Sequence, residues 1–386
     1  PQLLDALNNL GAIALTSKNW ESALHYFVKI LEIEPKYSEA YNNLGIIFKE
    51  LDRLDESKAI YQKAILLRPN VAESQSNLGN TLKELGRLEE AVAIYNKALV
   101  LMPTLSEAHG NLGAALKELG RFDKAIYHFD LSHSPSAVPK SLECLYISKN
   151  YSEFQKRLQA ISKSDEINIR VASISAFVAH QLKLKDPYPF CRNPLDFIVC
   201  RSLFEYAPNA DVLIEQIIQE GNGRQLVWES RTTKFGYQGS NDFFEISNKN
   251  VALLANIVCK VVDEFPLKFS HETNSFINLW PRNYKLVGWY NRLLKNGYQQ
   301  SHIHADGWLS GVIYLKTINS LDNEEGAIEF GLHGYDYPIL DDGYPRKLHK
   351  PKAGDIVLFP SSLFHRTIPF TIDTERCVVA FDILPA

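Results

Sequence analysis

The sequence predicts a multidomain α and β chain: an N-terminal α-α superhelix built from repeated helix pairs, followed by a β-rich domain of sandwich or barrel type. Two observations predict it. A Leu-Gly pair recurs at a constant step through the first third of the chain, and from about residue 225 short apolar runs alternate with Gly, Asn, Asp and Pro turn signals. A length of 386 residues suits two or three domains. Apolar residues make up 45% and charged residues 22%, an ordinary globular balance. The net charge of −4 offers nothing to a polyanion, so neither nucleic acid nor an anionic membrane is expected as a partner. The basic stretch "PRKLHKPK" (345–352) reads as a solvated loop. Five scattered cysteines without a CxxC pair predict a reducing, cytoplasmic setting and argue against a thiolate zinc centre. No apolar run reaches the roughly 18 residues that span a bilayer; the best, "VALLANIVCKVV", is cut by Lys260.

The repeat comes first in the chain (1–135). Leu10-Gly11, Leu44-Gly45, Leu78-Gly79 and Leu112-Gly113 share one step with Pro35, Pro69 and Pro103. Small residues (Ala23, Ser57, Ala91, Ala125) and aromatics (Phe27, Tyr61, Tyr95, Phe129) keep it too. Gly and the small residue allow two helices to approach, the aromatic fills the gap, and Pro precedes the next helix start. Step and pattern together resemble the tetratricopeptide repeat, whose units must stack to bury their apolar faces.

Asn9, Asn43, Asn77 and Asn111 also keep the period, each two positions before the Gly. Helical geometry turns them away from the partner helix and toward the inner groove. A ladder of amides there could bond the backbone of an extended peptide. It resembles the ladder in the repeats of O-linked N-acetylglucosamine transferase, which implies a protein or peptide substrate; the bland alternative is a tolerated Asn that binds nothing. Residues 136–195 lose the period. They read as two or three degenerate helices followed by the Pro-rich linker "KDPYPFCRNPLDF".

In the last domain (196–386) the strand-like runs are "QLVWES", "SFINLWP", "KLVGWYNRLL", "LSGVIYLKTI", "GAIEFGL", "DIVLFPSSLF" and "CVVAFDIL", with one helix around 248–264. His304 and Asp306 stand on alternate positions before "LSGVIYL", so an extended strand would turn both to one face. His365 comes from a distant run of the same domain, and Arg376 follows it at the head of the last one. Two imidazoles and a carboxylate on one face of a metal leave three positions open, the pattern of non-haem Fe(II) oxygenases. Those positions suit O₂ and a bidentate 2-oxo acid, whose far carboxylate a planar Arg would clamp.

The stretch 289–386, "HIHADGWLSGVIYLK … GAIEFG … PKAGDIVLFPSSLFHRTIPF … ERCVVAFDI", resembles the 2-oxoglutarate/Fe(II)-dependent dioxygenases, and within them a bacterial subfamily fused to tetratricopeptide repeats. The resemblance implies a double-stranded β-helix (jelly roll), Fe(II), 2-oxoglutarate and O₂, and hydroxylation of a substrate C–H. It implies His304, Asp306 and His365 as metal ligands, Arg376 as the carboxylate clamp, Tyr314 as its partner, and Asn291 as a further cosubstrate contact. His302, at i−2, competes. In a cupin-type reading His302, His304, Glu329 and His365 would bind the metal, but Glu329 is far from the pair and Asp306 and Arg376 would lose their roles. His302 is therefore expected beside the metal rather than on it. Trp289, Trp308 and Phe364 are expected as packing. A small-molecule hydroxylase with the repeats as scaffold, and a metal-binding adaptor without activity, are the competing readings.

Overall fold

The computed structural model describes residues 2–230, 232–318 and 324–386. The chain divides into two compact units, Pro1–Asn150 and Tyr151–Ala386, and the helices read from 136–195 fall on both sides of that boundary.

The first unit is helical: α1 (Gln2–Thr16), α2 (Trp20–Ile33), α3 (Ser38–Glu50), α4 (Leu54–Leu67), α5 (Ala72–Glu84), α6 (Leu88–Leu101), α7 (Ser106–Glu118), α8 (Phe122–Ser132) and α9 (Ala137–Ile147). Consecutive helices pack in pairs, and each pair packs on the next. The glycine of the repeat explains the spacing. A Cβ added to Gly11, Gly45, Gly79 or Gly113 would fall 2.6–2.7 Å from the ring of Phe27, Tyr61, Tyr95 or Phe129, respectively. The aromatic of the second helix thus lies where a side chain of the first would be. Within each pair the first helix ends on a left-handed residue, at Lys18, Asp52, Gly86 and Gly120, and these too keep the step of the repeat.

The second unit opens with α10 (Tyr151–Ser164) and α11 (Ile169–Gln181), followed by β1 (Val199–Ser202), α12 (Ala210–Asn222), β2 (Val227–Trp228), β3 (Thr233–Gln238), α13 (Lys249–Lys268) and α14 (Ser275–Asn278). Strands β4 (Tyr284–Gln299), β5 (Leu309–Lys316), β6 (Ile328–Gly331), β7 (Arg346–His349), β8 (Asp355–Pro360), β9 (Phe364–Thr367) and β10 (Arg376–Pro385) complete it. One sheet has the order β1-β8-β5-β10-β4-β3-β2 and the other β7-β6-β9, with every pairing antiparallel. The two sheets meet at Phe330 on β6 and Phe359 on β8, whose rings are 4.9 Å apart.

"SFINLWP", expected as a strand, starts instead with the short helix α14. Asn274 caps it by accepting from the Ile277 amide, and Phe276 enters an aromatic cluster with Phe190, Phe265 and Trp308. The apolar run has no period that would separate a buried turn of helix from a strand. The helix expected around 248–264 is α13, which runs on to Lys268; α12, β1, β3 and β7 have no counterpart among the expected runs.

Candidate metal and cosubstrate site

Ser301–His304 runs extended beside β9. His302 and His365 exchange backbone N–H···O bonds of 3.1 Å in both directions, so one short bridge sets the two imidazoles side by side. His304 N donates to Ser361 O, and the chain then turns: Gly307 N donates to His304 O at 3.1 Å, a tight turn over 304–307. Gly307 fits that turn because a Cβ there would meet Ser361 Oγ at 2.7 Å.

One ring nitrogen from each of His302, His304 and His365 lies within 4.8 Å of the other two. Nδ1 of each ring faces an acceptor. His302 Nδ1 is 2.7 Å from Gln300 O, His365 Nδ1 is 3.2 Å from Leu363 O, and His304 Nδ1 is 2.6 Å from Asp382 Oδ1. Each Nδ1 therefore carries the proton, which leaves the Nε2 lone pairs free. Nε2 of His302 and His304 stand 3.2 Å apart. Two nitrogens sharing one metal at about 2.0–2.1 Å would be separated by about 3.0–3.4 Å. Burial, and then the neighbouring rings, push the pKa of His302 down to about 4 and that of His365 well below the ordinary imidazole range. Unprotonated imidazoles are the form a metal requires.

Asp306 is not among the converging donors. The turn that begins at His304 ends the extended backbone, and with it the alternation that would have kept 304 and 306 on one face. The extended stretch instead puts His302 and His304 together. Asp306 lines the cleft in front of the histidines. The carboxylate at the centre is Asp382, 7% exposed, which accepts from His304 and from Ser310 Oγ at 2.6 Å. It shares strand β10 with Arg376 at an even spacing, and that spacing was the available signal for its facing.

That shared face carries the second half of the site. On β10, Arg376, Val378, Ala380 and Asp382 alternate onto one side. Val378 is in register with Asn291 on β4 and Tyr314 on β5, and Ala380 with Trp289 and Val312. Arg376 is 1% exposed, Asn291 1% and Tyr314 0%. Both amide atoms of Asn291, the Tyr314 hydroxyl, and Nε and Nη1 of Arg376 are buried without a partner in hydrogen-bond geometry among the described residues. Buried polar groups are seldom left so. Burial raises the Tyr314 hydroxyl to about 12, against the pull of Arg376, so it remains a donor at neutral pH.

The cleft over the histidines measures about 310 Å³ and includes Arg170, Gln238, Gln299, Trp289, Val312 and Ala380 in its lining. Trp289 lies with its ring centroid 5.3 Å from that of His304, whereas Trp308 and Phe364 are buried packing residues. A larger cleft of about 550 Å³, beside α11 and β7, holds Lys185, Arg192, Arg346 and Lys347 but, among the described residues, no converging set of metal donors. Glu329, the carboxylate of the cupin-type reading, pairs with Arg366 at 2.9 Å instead.

The class of molecule these observations define is a helical-repeat chain carrying a β domain with a histidine-lined centre. Comparison with known families agrees. Residues 288–382 match the family described as "Putative 2OG-Fe(II) oxygenase", and residues 36–104 and 70–134 match the tetratricopeptide repeat. No curated protein is significantly similar to the chain. Among solved structures, one from the functional characterization of Pseudomonas aeruginosa pilF is 23% identical, covers 54% of this chain and 93% of its own, and has a TM-score of 0.44. YrrB, described as a TPR protein with an unusual peptide-binding site, is 19% identical, with 46% and 90% covered and a TM-score of 0.38. An O-GlcNAc transferase mutant from Thermobaculum terrenum is 26% identical, with 34% and 26% covered and a TM-score of 0.33.

Proposed function

We propose that the chain is an Fe(II)- and 2-oxoglutarate-dependent dioxygenase, a hydroxylase whose substrate is a protein or peptide recruited by the repeats. The observation that carries this reading is the pairing, in one β domain, of three converging imidazoles with a buried Arg-Tyr-Asn group whose named polar atoms lack partners of good hydrogen-bond geometry among the described residues. Two antiparallel sheets facing each other, with β8-β5-β10-β4 at the heart of the larger one, fit a double-stranded β-helix.

In this reading His302, His304 and His365 hold the iron. The usual facial set has two imidazoles and a carboxylate; here Asp382 acts through His304, accepting its Nδ1 proton and strengthening Nε2 as a ligand. Arg376 receives the far carboxylate of 2-oxoglutarate in a charge-assisted pair, Tyr314 donates its hydroxyl to the same group, and Asn291 supplies an amide donor and acceptor. Bound together, iron and 2-oxoglutarate supply the oxidising chemistry toward a substrate C–H. Trp289, Val312 and Ala380 keep that region dry, and Asp306 meets the incoming substrate at the cleft wall. In the repeats, Asn43, Asn77 and Asn111 are half-buried and Asn9 is exposed; Asn77 donates to Asn42 at 3.3 Å and Asn111 to Glu107 at 3.5 Å. A peptide backbone would compete for these weak bonds.

The test is turnover. Fe(II)-loaded protein in air should convert 2-oxoglutarate to succinate and CO₂ even without substrate, and Arg376→Met should lose this. No succinate above the metal-free control overturns the oxygenase reading. A randomised extended-peptide pool should stimulate turnover, and replacing Asn43, Asn77 and Asn111 together by Ala should remove the stimulation alone.

A further inference from the structure

Strand β1 is one edge of the larger sheet of the second unit and β7 one edge of the smaller. Cys200 on β1 pairs with Val357 of β8, so Asp355, two positions before Val357, lies on the same face as Cys200. His349 closes β7, and the short loop from 350 to 354 returns the chain to Asp355. Cys200 Sγ, His349 Nε2 and an Asp355 carboxylate oxygen lie within 4.8 Å of one another. Sγ is 3.9 Å from Nε2, and Nε2 is 3.0 Å from Asp355 Oδ2. Around a tetrahedral zinc the same pairs would be about 3.5 Å and about 3.3 Å apart, as bond lengths of about 2.3 Å to sulfur and about 2.0–2.2 Å to nitrogen and oxygen require.

We propose that Cys200, His349 and Asp355 form a second metal site, for Zn²⁺ or a similar borderline-soft divalent cation, which ties edge strand β1 to edge strand β7. Thiolate, imidazole and carboxylate together suit zinc rather than magnesium or calcium. Three protein donors leave a fourth position for water, and Cys200 is exposed, so the ion has a path in. Asp355 is already oriented, since its Oδ2 accepts from the Lys352 amide at 2.9 Å. The two sheets share no hydrogen-bonded strand pair among the described residues, and an ion here would join them at the β1 and β7 edges. It would also fix His349, whose ring stands 6.4 Å edge-on from that of Tyr314. The His349–Asp355 contact alone would be an ordinary ion pair; the thiol makes the difference. Thiolate zinc sites announced by a CxxC pair are legible in sequence, and this one is assembled by strand pairing instead.

Cobalt(II) separates this site from the histidine centre, because only Cys200 brings a thiolate. Metal-free, fully reduced whole chain titrated with Co²⁺ should develop a near-ultraviolet thiolate-to-cobalt band that saturates by two equivalents per chain, when both centres are filled, and disappears on adding Zn²⁺. Cys200→Ser should lose the band, His349→Gln should weaken binding at least tenfold, and the double replacement of His302 and His365 by Ala should leave it in place. Far-ultraviolet circular dichroism of Cys200→Ser checks that the fold persists. A titration without the band, or a band that survives Cys200→Ser and so arises from another cysteine, overturns the proposal and leaves only the ion pair.

Discussion

The Arg376 guanidinium carbon lies 5.0 Å from the centre of the Tyr314 ring, both residues buried and neither satisfied by hydrogen bonds of good geometry at Nε, Nη1 or the hydroxyl. In the proposed reading this buried guanidinium receives the far carboxylate of 2-oxoglutarate. Arg376→Met should therefore weaken 2-oxoglutarate binding by roughly 10–150-fold, the equivalent of the 1.5–3 kcal/mol of a charged hydrogen bond. Anaerobic calorimetry with metal-loaded protein measures it. Equal affinities in native and variant protein would remove Arg376 from the site.

Asp382 Oδ1 accepts a hydrogen bond from His304 Nδ1. Asp382→Asn should lower metal affinity by about 10–100-fold, the usual effect of losing such a support. Asp306→Asn should change it far less. Competition with a chromophoric chelator reads both variants, and the reverse order of effects would restore Asp306 as the ligand.

In the repeats, Gly79→Ala places a methyl 2.6 Å from the Tyr95 ring. The overpacking should cost about 1–3 kcal/mol. Urea unfolding followed by the helical circular-dichroism signal would show it as a lower midpoint; an unchanged midpoint would mean the helix pair opens without penalty.

His128 packs its ring on that of His109, Nδ1 to Nδ1 at 2.9 Å, and burial followed by the His109 ring lowers its pKa to about 4. The folded chain thus binds this proton less readily than the unfolded chain, whose imidazole titrates near 6.5. Its contribution to stability is complete above pH ~6.5 and is lost as pH falls toward about 4. Thermal melts at pH 7 and pH 5 should show a lower midpoint at pH 5, and His128→Phe should flatten the difference. A steeper pH dependence in the variant would contradict the sign.

How much of this the sequence showed depends on what the local backbone does. The Gly79–Tyr95 contact, and its three counterparts, follow from a helix pair whose dimensions recur with the repeat, so period alone reveals them. Arg376, Tyr314 and Asn291 were singled out by the family resemblance, and strand pairing sets all three on one sheet face. His302 and Asp306 are where it departs. From 301 to 304 the alternation holds, and the turn at 305–306 cancels it, so the pair that meets is 302 with 304. A turn built from Ala305, Asp306 and Gly307 is readable in principle, yet the apolar strand that follows masks where extension stops. Asp382 is legible only through its even spacing from Arg376 on one strand, and Cys200, His349 and Asp355 share no local signal at all. Contacts made by sheet order, rather than by spacing, are the ones a single sequence hides.

The proposed three-histidine centre that takes 2-oxoglutarate is tested most directly by anaerobic addition of Fe(II) and 2-oxoglutarate while watching for the metal-to-ligand charge-transfer band. The native chain and Asp306→Ala should both develop the band, and His302→Ala should not. Absence of the band in the native chain, or its loss with Asp306→Ala and survival with His302→Ala, would contradict the account.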